Sequence, residues 1–267
     1  MKNKNCLNCG EELINKYCSH CGQKSDTHRI TFKNFIFHDV LHGTFHIDKG
    51  ILFTAKQALI RPGKAALDYI SGKRKPYYNV FLLILLTIGL MLFLRHYYSE
   101  IMIEQGRAYV KGTRGLNEAS QKMDYIFSQK NKIVIFLFVP FAALNSYVLF
   151  RRKQLNLSEH TIIAGMILLG ILLFSTFGNA IFYLNLFIDF SSTVTDLVST
   201  TIISLIFLYI IYGYFNAFGN NYSRLGFSYR ILLFFLLLFA EVIILLLITI
   251  GIVTNWEFGA IKLTPFN

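Results

Sequence analysis

Two cysteine pairs near the N-terminus carry the clearest chemistry in the chain. Cys6-Leu-Asn-Cys9-Gly10 and Cys18-Ser-His-Cys21-Gly22 are CxxCG knuckles separated by eight residues. Each can fold its thiolates around one side of a tetrahedral ion, and the following glycine permits the tight turn that brings backbone amides toward the sulfurs. The pattern predicts a small zinc ribbon, with Cys6, Cys9, Cys18 and Cys21 holding one structural zinc per chain. Four thiolates close the coordination sphere and leave no position for an activated water. A segment this short has little core, so the metal should supply most of its folding free energy. His20 reads as a solvent-facing residue between two ligands. Tyr17 is the one aromatic platform in the segment, which favours a structural staple or protein-docking knob over a nucleic-acid reader.

A second constellation follows. His38, His42 and His46 recur at i, i+4 and i+8, and Asp48-Lys49-Gly50 ends the stretch. At about 100° per residue, Ile36, Phe37, Val40, Leu41 and Phe45 share one arc of a helix, while the histidines line the other beside Asp39. Imidazoles one turn apart can share a metal, with the third or Asp39 completing the site and Asp48 as a hydrogen-bonding partner. A single helix wraps three ligands around one ion only with difficulty, and HExxH is absent. Histidines at a membrane surface also bind backbone carbonyls or lipid phosphate, so this face is a candidate second metal or functional site with a structural alternative.

Glu241 is the one acidic residue placed in the middle of a long apolar run. A charge there costs about 2.5 kcal/mol or more at mid-bilayer unless it is paired or protonated. It serves either an ion path or a neutral hydrogen bond to a neighbouring helix. No phosphate-cradling glycine loop, GxSxG or Ser-His-Asp order is present, so catalytic residues remain unknown and a non-enzymatic role is favoured.

The elements that must position these groups are helical. Ile51, Leu52, Ala55, Ala58 and Leu59 repeat at helical spacing up to Arg61-Pro62-Gly63; Pro62 fits the first turn of the next helix and Gly72 its end. Both are too short and charged to cross a bilayer, and read as amphipathic elements at the interface or against the membrane bundle. Lys73-Arg74-Lys75 then forms a basic stop suited to lipid head groups, with Tyr77 and Tyr78 as interfacial aromatics. Five apolar runs follow at about 77–98, 133–150, 161–188, 198–218 and 229–253, each long enough for about 30 Å of hydrocarbon. Within them Asn145, Asn179, Asn185 and Asn216 read as interhelical hydrogen-bonding residues, and Gly213 with Ala217 as a close-packing pair. Pro140 and Gly178-Asn179 are candidate breaks in their helices, and no internal repeat is evident.

The expected architecture is an all-α polytopic membrane protein: a ribbon at 1–29, amphipathic interface helices at 30–76, a transmembrane region at 77–253 and a tail at 254–267. Composition agrees, since 54% apolar and 15% charged residues is not the balance of a soluble domain. Residues 1–78 hold 13 Lys+Arg against 6 Asp+Glu, an excess that fits attraction to anionic head groups and a cytoplasmic N-terminus. Arg151-Arg152-Lys153, Arg224 and Arg230 fall on the same side, whereas the stretch from Arg95 to Lys132, with seven basic and four acidic residues, opposes this orientation. Reduced thiols in a cytoplasmic module suit metal binding better than disulfides. The expected partners are the anionic bilayer and a cytoplasmic protein at the ribbon, with nucleic acid disfavoured.

Taken together, the first 80 or so positions resemble an uncharacterised family of bacterial membrane proteins, a domain of unknown function. The resemblance rests on Cys6, Cys9, Cys18, Cys21-Gly22-Gln23, His38, His42, His46, Asp48-Lys49-Gly50, Arg61-Pro62-Gly63 and Gly72-Lys73-Arg74. The chain departs at Val80, where the family opens its first span with proline. The resemblance implies a bacterial inner-membrane location and no settled activity. A membrane adaptor or regulatory component is the preferred expectation. A transporter or ion-path component using Glu241 and the histidine face, and a metalloprotein using His38, His42 and His46, are the alternatives.

Overall fold

The computed structural model describes residues 4–25, 27, 50–104, 137–188, 190–253 and 256. Among them are seven α-helices and no strand: α1 Gly50–Ile60, α2 Pro62–Ile70, α3 Val80–Glu104, α4 Leu137–Leu149, α5 Leu157–Phe182, α6 Ser192–Phe218 and α7 Arg224–Val253. Helices α3, α5, α6 and α7 are long and apolar enough to cross a membrane, which is compatible with a multi-pass membrane protein. Helix α4 is a shorter apolar helix adjoining undescribed residues, so the fifth expected span is represented only by Leu137–Leu149.

Local chemistry sets the boundaries. Pro62 occupies the first turn of α2, where its missing N–H costs nothing, and Gly72 follows the helix at φ +102°, a conformation L side chains rarely adopt. Asn156 and Glu159 form a reciprocal capping box that starts α5 at Leu157, four residues before the expected Thr161. Asn156 Oδ1 accepts from the Glu159 amide at 2.9 Å, and Glu159 Oε2 accepts from the Asn156 amide at 2.8 Å. Ser191 likewise caps α6, so its Ser/Thr-rich first turns are helical although their side chains are polar. Helix α5 runs unbroken through Gly178 and Asn179 to Phe182 before tightening into a 3-10 turn, Tyr183–Leu186, which overturns the expected interruption. Gly178 instead admits the Ile202 side chain of α6.

Helix α5 is the centre of the bundle, in contact with α1, α2, α3 and α6. Its Ile163, Met166, Ile167 and Leu169 are fully buried. Close to it, Phe150 stacks on Phe218 with ring centroids 4.8 Å apart, and Tyr214 meets Phe234 at 4.5 Å, tying α4, α6 and α7 together.

The hairpin of α1 and α2 packs against α5 and α6, with Ala58, Ala65 and Ala66 wholly buried. Gly63 makes this possible. A Cβ added there would lie 2.4 Å from both the Gly213 carbonyl oxygen and the Ala217 amide nitrogen of α6. Asn216 Oδ1 accepts from the Lys64 amide at 2.8 Å, and the Tyr212 hydroxyl donates to the Ile60 carbonyl at 2.7 Å. Both bonds satisfy groups that helix ends leave unpaired.

Candidate metal centre

The two knuckles adopt one structure twice, offset by twelve residues. Gly10 N–H donates to the Cys6 carbonyl and Gly22 N–H to that of Cys18; Cys6 N–H reaches the Glu11 carbonyl and Cys18 N–H that of Gln23. The flanks repeat as well, with antiparallel bridges Asn5 to Glu12 and Tyr17 to Lys24. This short repeat escapes the sequence because the two halves share little beyond Cys-x-x-Cys-Gly. Gly10 and Gly22 have φ +82° and +71°, left-handed values that glycine adopts freely in the tight turn expected after each pair.

The sulfurs of Cys6, Cys9, Cys18 and Cys21 all lie within 4.8 Å of one another and could hold a metal ion. Cys6 and Cys21 are 3.5 Å apart, and Cys9 and Cys18 3.6 Å. A tetrahedral ion with thiolates at about 2.3 Å needs sulfurs about 3.8 Å apart, so the donor set fits in kind, number and spacing. Burial opposes ionisation of Cys21, yet the Gln23 amide and the Asn8 side chain hold its thiol down at about 6. At Cys9 the Glu11 amide favours the thiolate, but desolvation and the neighbouring sulfurs outweigh it and push the thiol up to about 12. Crowded sulfurs thus share protons that a bound cation would displace.

A second feature lies beside the cluster. Gln23 is only 5% exposed. Its Nε2 donates to the Gly72 carbonyl at 2.8 Å, while its Oε1 accepts from the Arg74 and Lys75 amides at 3.2 Å each. Leu7 fills the space above Gly72, where an added Cβ would meet its side chain at 2.6 Å. The cysteine module is therefore seated on the turn between α2 and α3.

Lys73, Arg74 and Lys75 lie on that turn. The Lys73 ammonium pairs with Asp68 at 3.2 Å, and Asp68 also binds Arg61 at 3.2 Å. The Arg74 guanidinium lies 5.4 Å from the Tyr69 ring centroid. Lys75 contributes its backbone to Gln23, and its side chain lies near Gly22. Tyr77 sits alongside, with a buried hydroxyl that has no partner among the described residues.

The remaining candidates fall elsewhere. His38, His42, His46 and Asp48 lie outside the described residues. Glu241 of α7 is partly buried and accepts from Asn145 Nδ2 of α4 at 3.0 Å, the interhelical bond that its structural alternative requires. Asn216 bonds α2, and Asn185 Nδ2 reaches the Tyr98 hydroxyl at 3.4 Å. Gln23 and Asn8 are the participants that spacing alone misses; Gln23 enters the sequence argument only as part of the Cys-Gly-Gln resemblance. A buried amide where the first knuckle carries exposed Glu11 is the asymmetry that would reveal it.

The fold and site define a helical protein, compatible with a multi-pass membrane protein, with a four-cysteine cluster seated on its bundle. Residues 48–92 match a family described as a protein of unknown function (DUF3667), a match running from Asp48 through α1, α2 and the Gly72–Lys75 turn into α3. Over that stretch the chain is similar to an uncharacterised domain family. No curated protein and no solved structure matches the chain.

Proposed function

We propose that this protein is a non-enzymatic adaptor of the bacterial inner membrane, whose zinc ribbon presents a docking face to a cytoplasmic protein. The observation that carries this reading is the Gln23 bond set on Gly72, Arg74 and Lys75, with Leu7 over Gly72. A module that only needed tethering would be served by a flexible linker; a buried three-bond contact holds it in a defined orientation. The ribbon meanwhile leaves Ile14 86% exposed and Tyr17 60% exposed between its knuckles, apolar surface suited to a protein partner. The zinc closes the fold of the ribbon and takes no chemical step.

A photo-crosslinking residue at Ile14 of the full-length protein in cells tests this. The expected result is a discrete adduct with a soluble protein that disappears in Cys18→Ser. An adduct of equal yield in Cys18→Ser, or none in the wild type, contradicts it.

A further inference from the structure

The connection between α4 and α5 lies at the same end of the bundle as the connection between α6 and α7, because the Arg152 amide donates to the Tyr222 hydroxyl at 3.1 Å. Five cations gather there: Arg151, Arg152, Lys153, Arg224 and Arg230. Among the described residues no carboxylate pairs with any of them, since the ion pairs are those of Asp68 with Arg61 and Lys73 and of His96 with Glu100. Glu159, the nearest acid in sequence, is 2% exposed and occupied in the α5 capping box.

The five are not equivalent. Arg152 donates to the Asn221 carbonyl at 2.8 Å and lies 4.8 Å from the Tyr222 ring centroid. Arg230 donates to the Leu149 and Gly226 carbonyls at 3.0 and 2.7 Å and lies between the Tyr222 and Tyr229 rings. These two guanidiniums are committed to the protein. Lys153 is half-buried, and desolvation lowers its ammonium from the usual lysine range. Arg151 is exposed, and its guanidinium lies 6.0 Å from the Tyr147 ring centroid, with no hydrogen bond or ion pair among the described residues.

Arg151 also lines a cavity of about 380 Å³ with Tyr147, Gln154, Leu155 and Asn156. The cavity exists because the chain turns sharply here: a 3-10 turn, Arg151–Lys153, ends in left-handed Gln154 at φ +49°. Its lining combines a cation and polar groups, from Arg151, Gln154 and Asn156, with the apolar surfaces of Tyr147 and Leu155. Its volume falls within the range of small-ligand sites.

We infer that this cavity binds a phosphate group, the Arg151 guanidinium holding its oxygens by a two-pronged contact while Tyr147 and Leu155 accept the adjoining apolar atoms. An anionic phospholipid head group and free phosphate share that chemistry. The site is separate from the Lys73–Lys75 turn, whose basic side chains face Asp68, Tyr69 and the cysteine module.

The test uses full-length protein in nanodiscs containing phosphatidylglycerol or phosphatidylcholine, with retained lipid counted by native mass spectrometry after release. Wild type should retain phosphatidylglycerol over phosphatidylcholine, and Arg151→Gln should weaken retention about tenfold, the loss expected when a hydrogen bond to a charged group is removed. Arg224→Gln removes the same charge from the same end without touching the cavity and should weaken retention much less, by the general effect of one surface charge alone. Adding inorganic phosphate separates the sources: unchanged lipid retention assigns the cavity to the lipid, and displacement assigns it to soluble phosphate. Arg151→Lys keeps the charge and loses the fork, so intermediate retention at unaltered thermal stability covers misfolding of Arg151→Gln. Equal loss in Arg151→Gln and Arg224→Gln, or a wild type that neither prefers phosphatidylglycerol nor binds added inorganic phosphate, overturns the inference.

Discussion

Gln23 and Gly72 are joined by a 2.8 Å hydrogen bond across 49 positions of sequence, from the second cysteine knuckle to the residue that ends α2. The same side chain takes the amides of Arg74 and Lys75, so one buried amide satisfies three backbone groups of the turn. Its replacement should detach the module without dismantling the metal site. Gln23→Ala is expected to cost about 1–3 kcal/mol of docking, the range for buried polar groups that lose a partner. Hydrogen exchange at Arg74 and Lys75 should accelerate while metal content holds. Unchanged protection of those amides contradicts the contact.

Gly72 supports that contact from the other side. At φ +102°, and with Leu7 where a Cβ would fall, Gly72→Ala strains the turn and displaces the module together. Protease cleavage between the module and α2 should be faster in Gly72→Ala than in the wild type, and faster again with Gln23→Ala added. Wild-type cleavage rates would show that the turn tolerates the methyl group.

Gly63 tests the seating of the α1–α2 hairpin on α6. Its missing Cβ makes room for the backbone at Gly213 and Ala217, which cannot move aside as a flexible side chain can. Gly63→Ala should lower the thermal midpoint of the detergent-solubilised protein, with a cost of about 1–3 kcal/mol for overpacking. An unaltered midpoint contradicts the close approach.

Glu241 and Asn145 are expected to behave as an interhelical pair. Glu241→Gln retains an oxygen acceptor for Asn145 Nδ2 and should change stability little. Glu241→Leu and Asn145→Leu should each destabilise, and the double variant should recover about 0.6 kcal/mol of coupling, the average for such bonds between membrane helices. Strict additivity in that cycle contradicts the bond, and loss of a measured flux in Glu241→Gln would favour the ion-path alternative.

Much of this was legible from residue order, and the illegible part has a common cause. The cysteine spacing predicts the clustered sulfurs, Pro62 and Gly72 bracket α2, and long apolar runs announce long helices, because each signal is local. Gln23 and Gly63 carry no local signal: their roles depend on Gly72 and Gly213, which only tertiary folding brings near. The early starts of α5 and α6 were hidden for a different reason, since hydropathy does not register the capping residues Asn156 and Ser191. Gly178-Asn179 misled because glycine in a buried helix can admit a neighbour, here Ile202, as readily as it can break the helix.

The four cysteines are expected to hold one metal that builds a ribbon seated on the bundle. Metal content of purified full-length protein, with its identity, tests this most directly when compared among wild type, Cys18→Ser and His42→Ala. The wild type should contain one zinc per chain, with an unchanged ratio in His42→Ala and loss in Cys18→Ser. No metal in the wild type, or a higher ratio that falls to one in His42→Ala, contradicts it.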